Sequence, residues 1–436
     1  MITRDISLED CILDLIDNSI DGAWRLEGGR PSGLSSDADL SKYRIDIKAT
    51  ADVFEIDDNC GGIKLQDAKD YAFTFGRKEA DAYENFSIGV YGIGMKRAVF
   101  KLGKNINVWS TVVEDQGAPA TAFNVRIDVD EWLGRSDSKN WDFPIYESKP
   151  GEQTGVKIVV KDLTEVTKDS FIDAAFMARL HRTVARDYTI HLHHGLKITI
   201  NGKPVKGWNI ELREADGIQP LRQTYVDEID PANKVDVELV AGMISPPPDD
   251  GTDAENIDDD DTYGWYVVCN GRIVLAADKS EITGWGTEGW PQWHGQYNGF
   301  IGLIIFSSEN AALLPLTTTK RSVDVSSEVF RRARPKMRDV SKKWIAYTNN
   351  RKQALSEAKQ IEALSKPTSL FRLEIRQDVT LPRYTPTPRE PTANISYSVP
   401  LLRYTDLARA LGDINMKRRD LGIKTFNRVY DEEVGG

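Results

Sequence analysis

The sequence predicts an α+β fold: a two-layer α/β sandwich, then a second α/β domain, then a helical C-terminal extension. Three observations predict it. The chain opens on apolar residues at helical spacing, continues through paired runs in which apolar and charged residues alternate, and closes on basic, helix-patterned stretches joined by a Pro-rich segment. At 436 residues with 40% hydrophobic content, it is long enough to build more than one core. The expected divisions are 1–190, 191–345 and 346–436.

Each element follows from local pattern. Ser7 followed by Asp10 reads as a capping box, and Leu8, Cys11, Ile12, Leu15, Ile16, Ser19 and Ala23 then predict a helix over about 8–26. Tyr43, Ile45 and Ile47 alternate with charged residues up to a turn near Ala51, and a second strand over 53–56 completes a hairpin. A glycine-rich run, FSIGVYGIGMKRAVFKLG, turns into a helix after Gly94. Strands near 105–113, 121–129 and 155–160 complete the sandwich, and a helix over about 168–187 with a strand pair at LKITINGKPV bridges to the second region. There VDVELVAGMI, GWYVVCNGRIVLA and GFIGLIIFSS read as strands. The acidic stretch 249–261 between them reads as a disordered loop, because like charges repel and nothing apolar anchors them. Helices are expected over 325–364 and 404–421, on either side of an extended VTLPRYTPTPREPT.

Composition narrows the function classes. No apolar run reaches the roughly 18–20 residues of a membrane span, and the opening MITRDISLED lacks a signal pattern, so no membrane association and a cytoplasmic address are expected. Cys11, Cys60 and Cys269 have no CxxC spacing, which suits free thiols. The net charge of −11 is uneven: from Lys320 onward 24 Lys and Arg stand against 14 Asp and Glu. An acidic body argues against general nucleic-acid affinity, while the basic tail is able to meet phosphate or an acidic partner.

The chemistry-bearing residues fall in three segments. Asp14, Asn18 and Asp21 share one face of the first helix, a polar row that lines either a pocket or solvent. In IDDNCGGI, Asp58 ends a buried strand and is followed by Gly61 and Gly62; a carboxylate there is placed to accept the exocyclic amine of adenine, where a plain Asx turn is the alternative. Gly89, Gly92 and Gly94, followed by Met95 and Lys96, present amides at a helix start, where a phosphate chain is stabilised. A dinucleotide fingerprint would place such glycines directly after the first strand of a βαβ unit; here they come third, which sets that reading aside.

Taken together, LDLIDNSIDGA, IDDNCGGI and GVYGIGMK resemble the three nucleotide-binding motifs of the GHKL superfamily, whose Bergerat-type pocket occurs in MutL-type repair proteins, MORC ATPases, type II topoisomerases and heat-shock chaperones. The resemblance implies ATP and Mg²⁺ as cofactors, Asn18 as the magnesium ligand, Asp58 as the adenine reader and Gly62 as the pocket floor. It further implies Gly89, Gly92 and Gly94 as the hinge of an ATP lid over about 65–88, with Met95, Lys96 and, from TGVKIVVKDL, Thr154 beside the nucleotide. CNGRIV is similar to a strand of MutL-type transducer domains, and PLTTTKRSVD to the loop that sends a lysine, here Lys320, to the γ-phosphate. The implied activity is ATP hydrolysis with Asp14 as general base, driving a homodimer clamp that engages an unidentified protein partner or, through the basic tail, nucleic acid. Three departures stand out: Asp14 replaces the usual glutamate, Cys60 a glycine, and Val156 a threonine.

Two further groups have plainer readings. His191, His193 and His194 are expected as surface histidines, with His191 and His193 on one face of a strand, rather than as metal ligands. Trp285, Trp290 and Trp293 are expected to pack internally, with an interface anchor as the alternative.

Overall fold

The computed structural model describes residues 6–29, 33–34, 38–69, 94–113, 120–134, 143–230, 233–249, 262–287, 289–317, 320–384 and 393–434. These fall into two compact units, Met1–Thr385 and Pro386–Gly436.

The first helix spans Leu8–Leu26. The Ser7 hydroxyl caps it, accepting from the Asp10 amide at 3.0 Å. One stripe of the helix, including Ile12, Ile16 and Ile20, is fully buried in the first core, while Asp14 and Asn18 lie on the opposite flank.

That core rests on an eight-stranded sheet among the described residues, ordered β5-β4-β3-β6-β2-β1-β7-β8. Its strands are β1 (Arg44–Ala49), β2 (Phe54–Asp58), β3 (Gly103–Val112), β4 (Thr121–Asp128), β5 (Ile145–Glu147), β6 (Gly155–Leu163), β7 (Lys197–Ile200) and β8 (Lys203–Pro204). The predicted hairpin is β1–β2, with Ile45 opposite Asp58. β2 then pairs antiparallel with β6 and β6 with β3, so Asp58 ends a strand flanked on both sides. β7 and β8, expected as a bridge to the second region, instead extend this sheet through parallel pairing of β7 with β1.

A second sheet, ordered β10-β11-β14-β12-β13, joins β10 (Leu221–Asp230), β11 (Asn233–Met243), β12 (Gly264–Cys269), β13 (Arg272–Asp278) and β14 (Phe300–Ser307). A third pairs β9 (Glu211–Glu214) with β15 (Lys366–Ser369). The Glu328–Arg351 helix closes the second core with Phe330, Met337 and Trp344, and the Trp265 indole donates to the Ser341 hydroxyl at 3.1 Å. The expected boundary at 345 thus falls inside a helix that belongs to the first compact unit. Trp285 and Trp290 are buried in the same core and meet edge-to-face, which is the internal packing expected of them.

Several local expectations are corrected. The helix over 168–187 is two helices, Glu165–Ile172 and Ala174–Asp187, because Asp173 caps the second by accepting from the Ala175 amide at 2.9 Å and the Phe176 amide at 3.2 Å. The histidine run is not a strand: Thr189–His193 is a short helix, and His191 and His194 are buried while His193 is exposed. The reason is a core contact, since the Trp24 indole donates to His191 Nδ1 at 3.1 Å. Within the acidic stretch Asp249 is held, by Arg351 at 3.0 Å and by Lys359; residues 250–261 lie outside the described residues.

In the second unit, the single helix expected over 404–421 is replaced by Leu401–Ala410 and Arg418–Glu433. Gly412, in the left-handed region at φ 91°, ends the first, and Ala408, Met416 and Leu421 form a small core between the two.

One close approach fixes the first helix against the end of β2. A Cβ on Gly22 would overlap the Cys60 carbonyl oxygen, so Gly22→Ala must push helix and strand end apart. Chemical denaturation should show a loss of about 1–3 kcal/mol, the range for overpacking a well-fitted core.

Candidate active site

The end of β2 is built to hold one carboxylate still. Asp58 Oδ2 accepts from the Ser19 hydroxyl at 2.6 Å, and Oδ1 accepts from the amides of Cys60 at 2.8 Å and Val156 at 3.2 Å. A carboxylate has about four lone-pair sites, so three donors leave roughly one for a ligand. Burial pushes this carboxyl above its ordinary pKa, against the three hydrogen bonds. Cys60, at the first glycine position of the motif, is itself buried and serves Asp58 through its backbone.

The chain beyond Asp58 forms a tight floor. Gly62 has φ 73°, and a Cβ there would overlap the Thr111 carbonyl oxygen. Ser110 stitches the next residue down, its hydroxyl accepting from the Ile63 amide at 2.7 Å and donating to the Ile63 carbonyl at 3.0 Å. Opposite, Gly155 lies so close to the Asp58 backbone that a Cβ would overlap the Asp58 carbonyl oxygen. Thr154 sits half-buried just before β6, while Val156 meets Asp58 through its amide rather than through a side chain.

On the helix, Asp14 and Asp17 meet a lysine from 303 and more residues away. Lys320 Nζ donates to Asp14 Oδ1 at 3.0 Å and to Asp17 Oδ2 at 2.9 Å. Lys320 is buried and holds a left-handed φ of 55°, a conformation uncommon for a residue with a side chain. Arg272 pairs with the same Asp17 oxygen, and the Tyr188 hydroxyl donates to Asp17 Oδ1 at 2.8 Å. Burial alone would raise Asp17, but the Arg272 and Lys320 charges outweigh it and hold its carboxyl below the usual range. Asp14 is pushed up, because burial dominates over its single cation partner. Lys320 is raised: its desolvation is overcome by the two carboxylates.

The remaining sequence-predicted residues divide. Asn18 is exposed on the helix face between Asp14 and Asp21. The Gly94–Leu102 helix begins where expected, with Met95 packed against the first core. Lys96 is buried rather than open to solvent, and burial lowers its pKa to about 8. Gly89 and Gly92, with the 70–88 part of the expected lid, lie outside the described residues.

Sequence reasoning missed three partners. Ser19 falls in the apolar stripe by its spacing, although its hydroxyl locks Asp58. Tyr188 carried no local signal. Arg272 did carry one: Asn270 and Gly271, at φ 46° and 82°, form the two-residue turn of the β12–β13 hairpin, and this turn sets Arg272 opposite Cys269 at the hairpin tip.

The fold and this pocket define a class, and the family comparison agrees with it. Residues 6–140 match the model of the family described as histidine kinase-, DNA gyrase B- and HSP90-like ATPase. Over these residues the chain carries a domain similar to the ATP-binding domains of the GHKL superfamily. No curated protein matches the chain. Among solved structures, the chain is similar to the ATPase region of Saccharomyces cerevisiae topoisomerase II bound to ICRF-187 (dexrazoxane), at 13% identity and a TM-score of 0.41, over 72% of this chain and 77% of that one. Among the described residues, no helix is long and apolar enough to cross a membrane.

The Asp17 cluster should contribute measurably to stability. Tyr188→Phe removes one donor from a fully buried carboxylate, and thermal or urea unfolding should show a loss of about 1–3 kcal/mol. An unchanged midpoint would mean that the hydroxyl carries no share of the network.

Proposed function

We propose that the chain binds ATP with Mg²⁺ and hydrolyses it, and that the state of the nucleotide sets a conformational switch, with two protomers closing on ATP. The observation that carries this reading is the 3.0 Å pairing of Lys320 with Asp14, two residues 306 apart that the motif comparison assigned to the two sides of one γ-phosphate. In this reading residues 1–190 hold the nucleotide and 191–345, with the helix that continues from it, act as the transducer.

Asp58 accepts the adenine amine on its remaining lone pair, and Gly62 leaves room for the flat ring. The residues present suit magnesium, a cation that prefers oxygen ligands: the exposed Asn18 amide stands on the helix face one turn from Asp14. When bound, the ion would neutralise charge on the phosphate oxygens. Asp14 orients a water against the γ-phosphorus and takes its proton as the bond to the β-phosphate oxygen breaks. Its raised pKa places the acid limb of turnover above the ordinary carboxylate range, because protonated Asp14 cannot accept.

A second reading, a nucleotide-gated scaffold with little turnover, is favoured by the shortness of Asp14 and by its engagement with Lys320. A single pair of variants tests both. Asp58→Asn should abolish binding of a fluorescent ATP analogue, because an amide puts a donor where an acceptor is needed. Asp14→Asn should keep affinity within about threefold and cut phosphate release by roughly 10²–10⁴. Wild-type binding without phosphate release would leave the scaffold reading standing, and unaltered binding by Asp58→Asn would overturn both.

A further inference from the structure

Lys320 is held between the buried carboxylate of Asp17 and the partly buried one of Asp14, and only Asp14 is needed for the reading above. Left to themselves, Asp14 and Asp17 would place two negative charges around a single ammonium. A lysine in that setting cannot turn to a phosphate without stranding a carboxylate away from water. Arg272 changes the balance. Its guanidinium pairs with Asp17 Oδ2, the oxygen that Lys320 also contacts at 2.9 Å, and both Arg272 and Asp17 are essentially removed from solvent. With Arg272 present, the charges of these four groups cancel: Asp17 is matched by Arg272, and Lys320 by Asp14.

Arg272 is also held firmly in place. Its hairpin turn is pinned to the end of β14, where the Asn270 side chain donates to the Ser308 carbonyl at 3.1 Å and accepts from the Ser308 amide at 3.0 Å. The other side of the turn lies on the nucleotide-binding sandwich, since a Cβ on Gly271 would come within 2.6 Å of His191 Cε1. His191 in turn accepts from Trp24 on the first helix at 3.1 Å. The hairpin therefore reaches the first helix by two routes, through His191 to Trp24 and through Arg272 to Asp17.

We propose that Arg272 is a positioning residue: by neutralising Asp17 it frees Lys320 to exchange Asp14 for the terminal phosphate of ATP, so that the β12–β13 hairpin sets the discrimination between ATP and ADP. This rests on the nucleotide reading above and deepens it. Neither Arg272 nor Asp17 touches the nucleotide. Asp17 fixes where the ammonium sits, and Arg272 fixes how strongly it is held there.

The test is the ratio of affinities for a non-hydrolysable ATP analogue and for ADP, both with magnesium, measured by calorimetry on the full chain; it needs no turnover. The wild-type chain should prefer the analogue by about tenfold or more, the scale of one charge-assisted contact. Lys320→Met should lose that preference while ADP affinity stays. Arg272→Gln should lose it as well, because Lys320 is then drawn onto two carboxylates. The double variant Asp17→Asn with Arg272→Gln restores the charge balance and should recover the preference, which a merely structural role for Arg272 would not produce. The double variant, neutral at both positions, also serves where the single variant fails to fold. A folded Arg272→Gln chain with the wild-type ratio would overturn the proposal, as would a double variant that behaves like Lys320→Met. Absence of any adenine-nucleotide binding by the folded wild-type chain is a separate result: it would overturn the nucleotide reading and this inference together.

Discussion

A carboxylate with no access to water must find its counter-charges inside the protein, and Asp17 finds them on distant parts of the chain. Its partners are Tyr188 at the end of the Ala174–Asp187 helix, Arg272 at the tip of a hairpin in the second sheet, and Lys320 on the loop before the long helix. Removing one partner of a buried pair costs about 3–5 kcal/mol, a large part of the stability of an ordinary domain. The first helix, the hairpin and the lysine loop are therefore held together by a penalty for separation as much as by attraction. Neighbouring pairs reinforce the join, with Arg321 bound to Asp10 and to Glu9 at 3.3 Å on the turn before. The same logic fixes a further contact between the two sheets' regions, where Glu238 of β11 accepts from the Leu34 amide at 2.6 Å and from Arg222 at 2.6 Å.

How much of this was legible in the sequence depended on whether the cause was local. The first helix was readable to its ends, because a capping box and an apolar stripe are written in adjacent residues. The β1–β2 hairpin was readable for the same reason, through alternation around a short turn. The histidine run was misread since its alternation also fits a single helical turn, and a contact from Trp24, 167 residues away, decides between them. Asp173 and Gly412 broke helices that periodicity alone would have continued, each by local backbone chemistry that the apolar pattern outvoted. At the candidate site, the motifs point to Asp14, Asp58, Gly62 and Lys320, and the structure brings Asp14 to Lys320. Ser19, Tyr188 and Arg272 were not assigned roles, because each acts through a partner that no spacing reveals.

The three aspartates of the site share one chemistry and differ in what surrounds them, and this difference sorts their roles. Asp17 is held by two cations and a hydroxyl, with its pKa lowered, and in the proposed reading its work is to hold others in place. Among the described residues Asp58 has neutral donors, two amides and a hydroxyl, which fix its orientation and leave about one lone pair. A carboxylate so arranged recognises a hydrogen-bond donor by direction. Among the described residues Asp14 pairs with the Lys320 ammonium, which in the proposed reading a phosphate is able to claim. Burial raises the proton affinity of Asp14, and in the proposed reading it is the group that takes a proton. In the proposed reading, holding, reading and reacting fall to Asp17, Asp58 and Asp14 according to the number and charge of the donors each carboxylate has met.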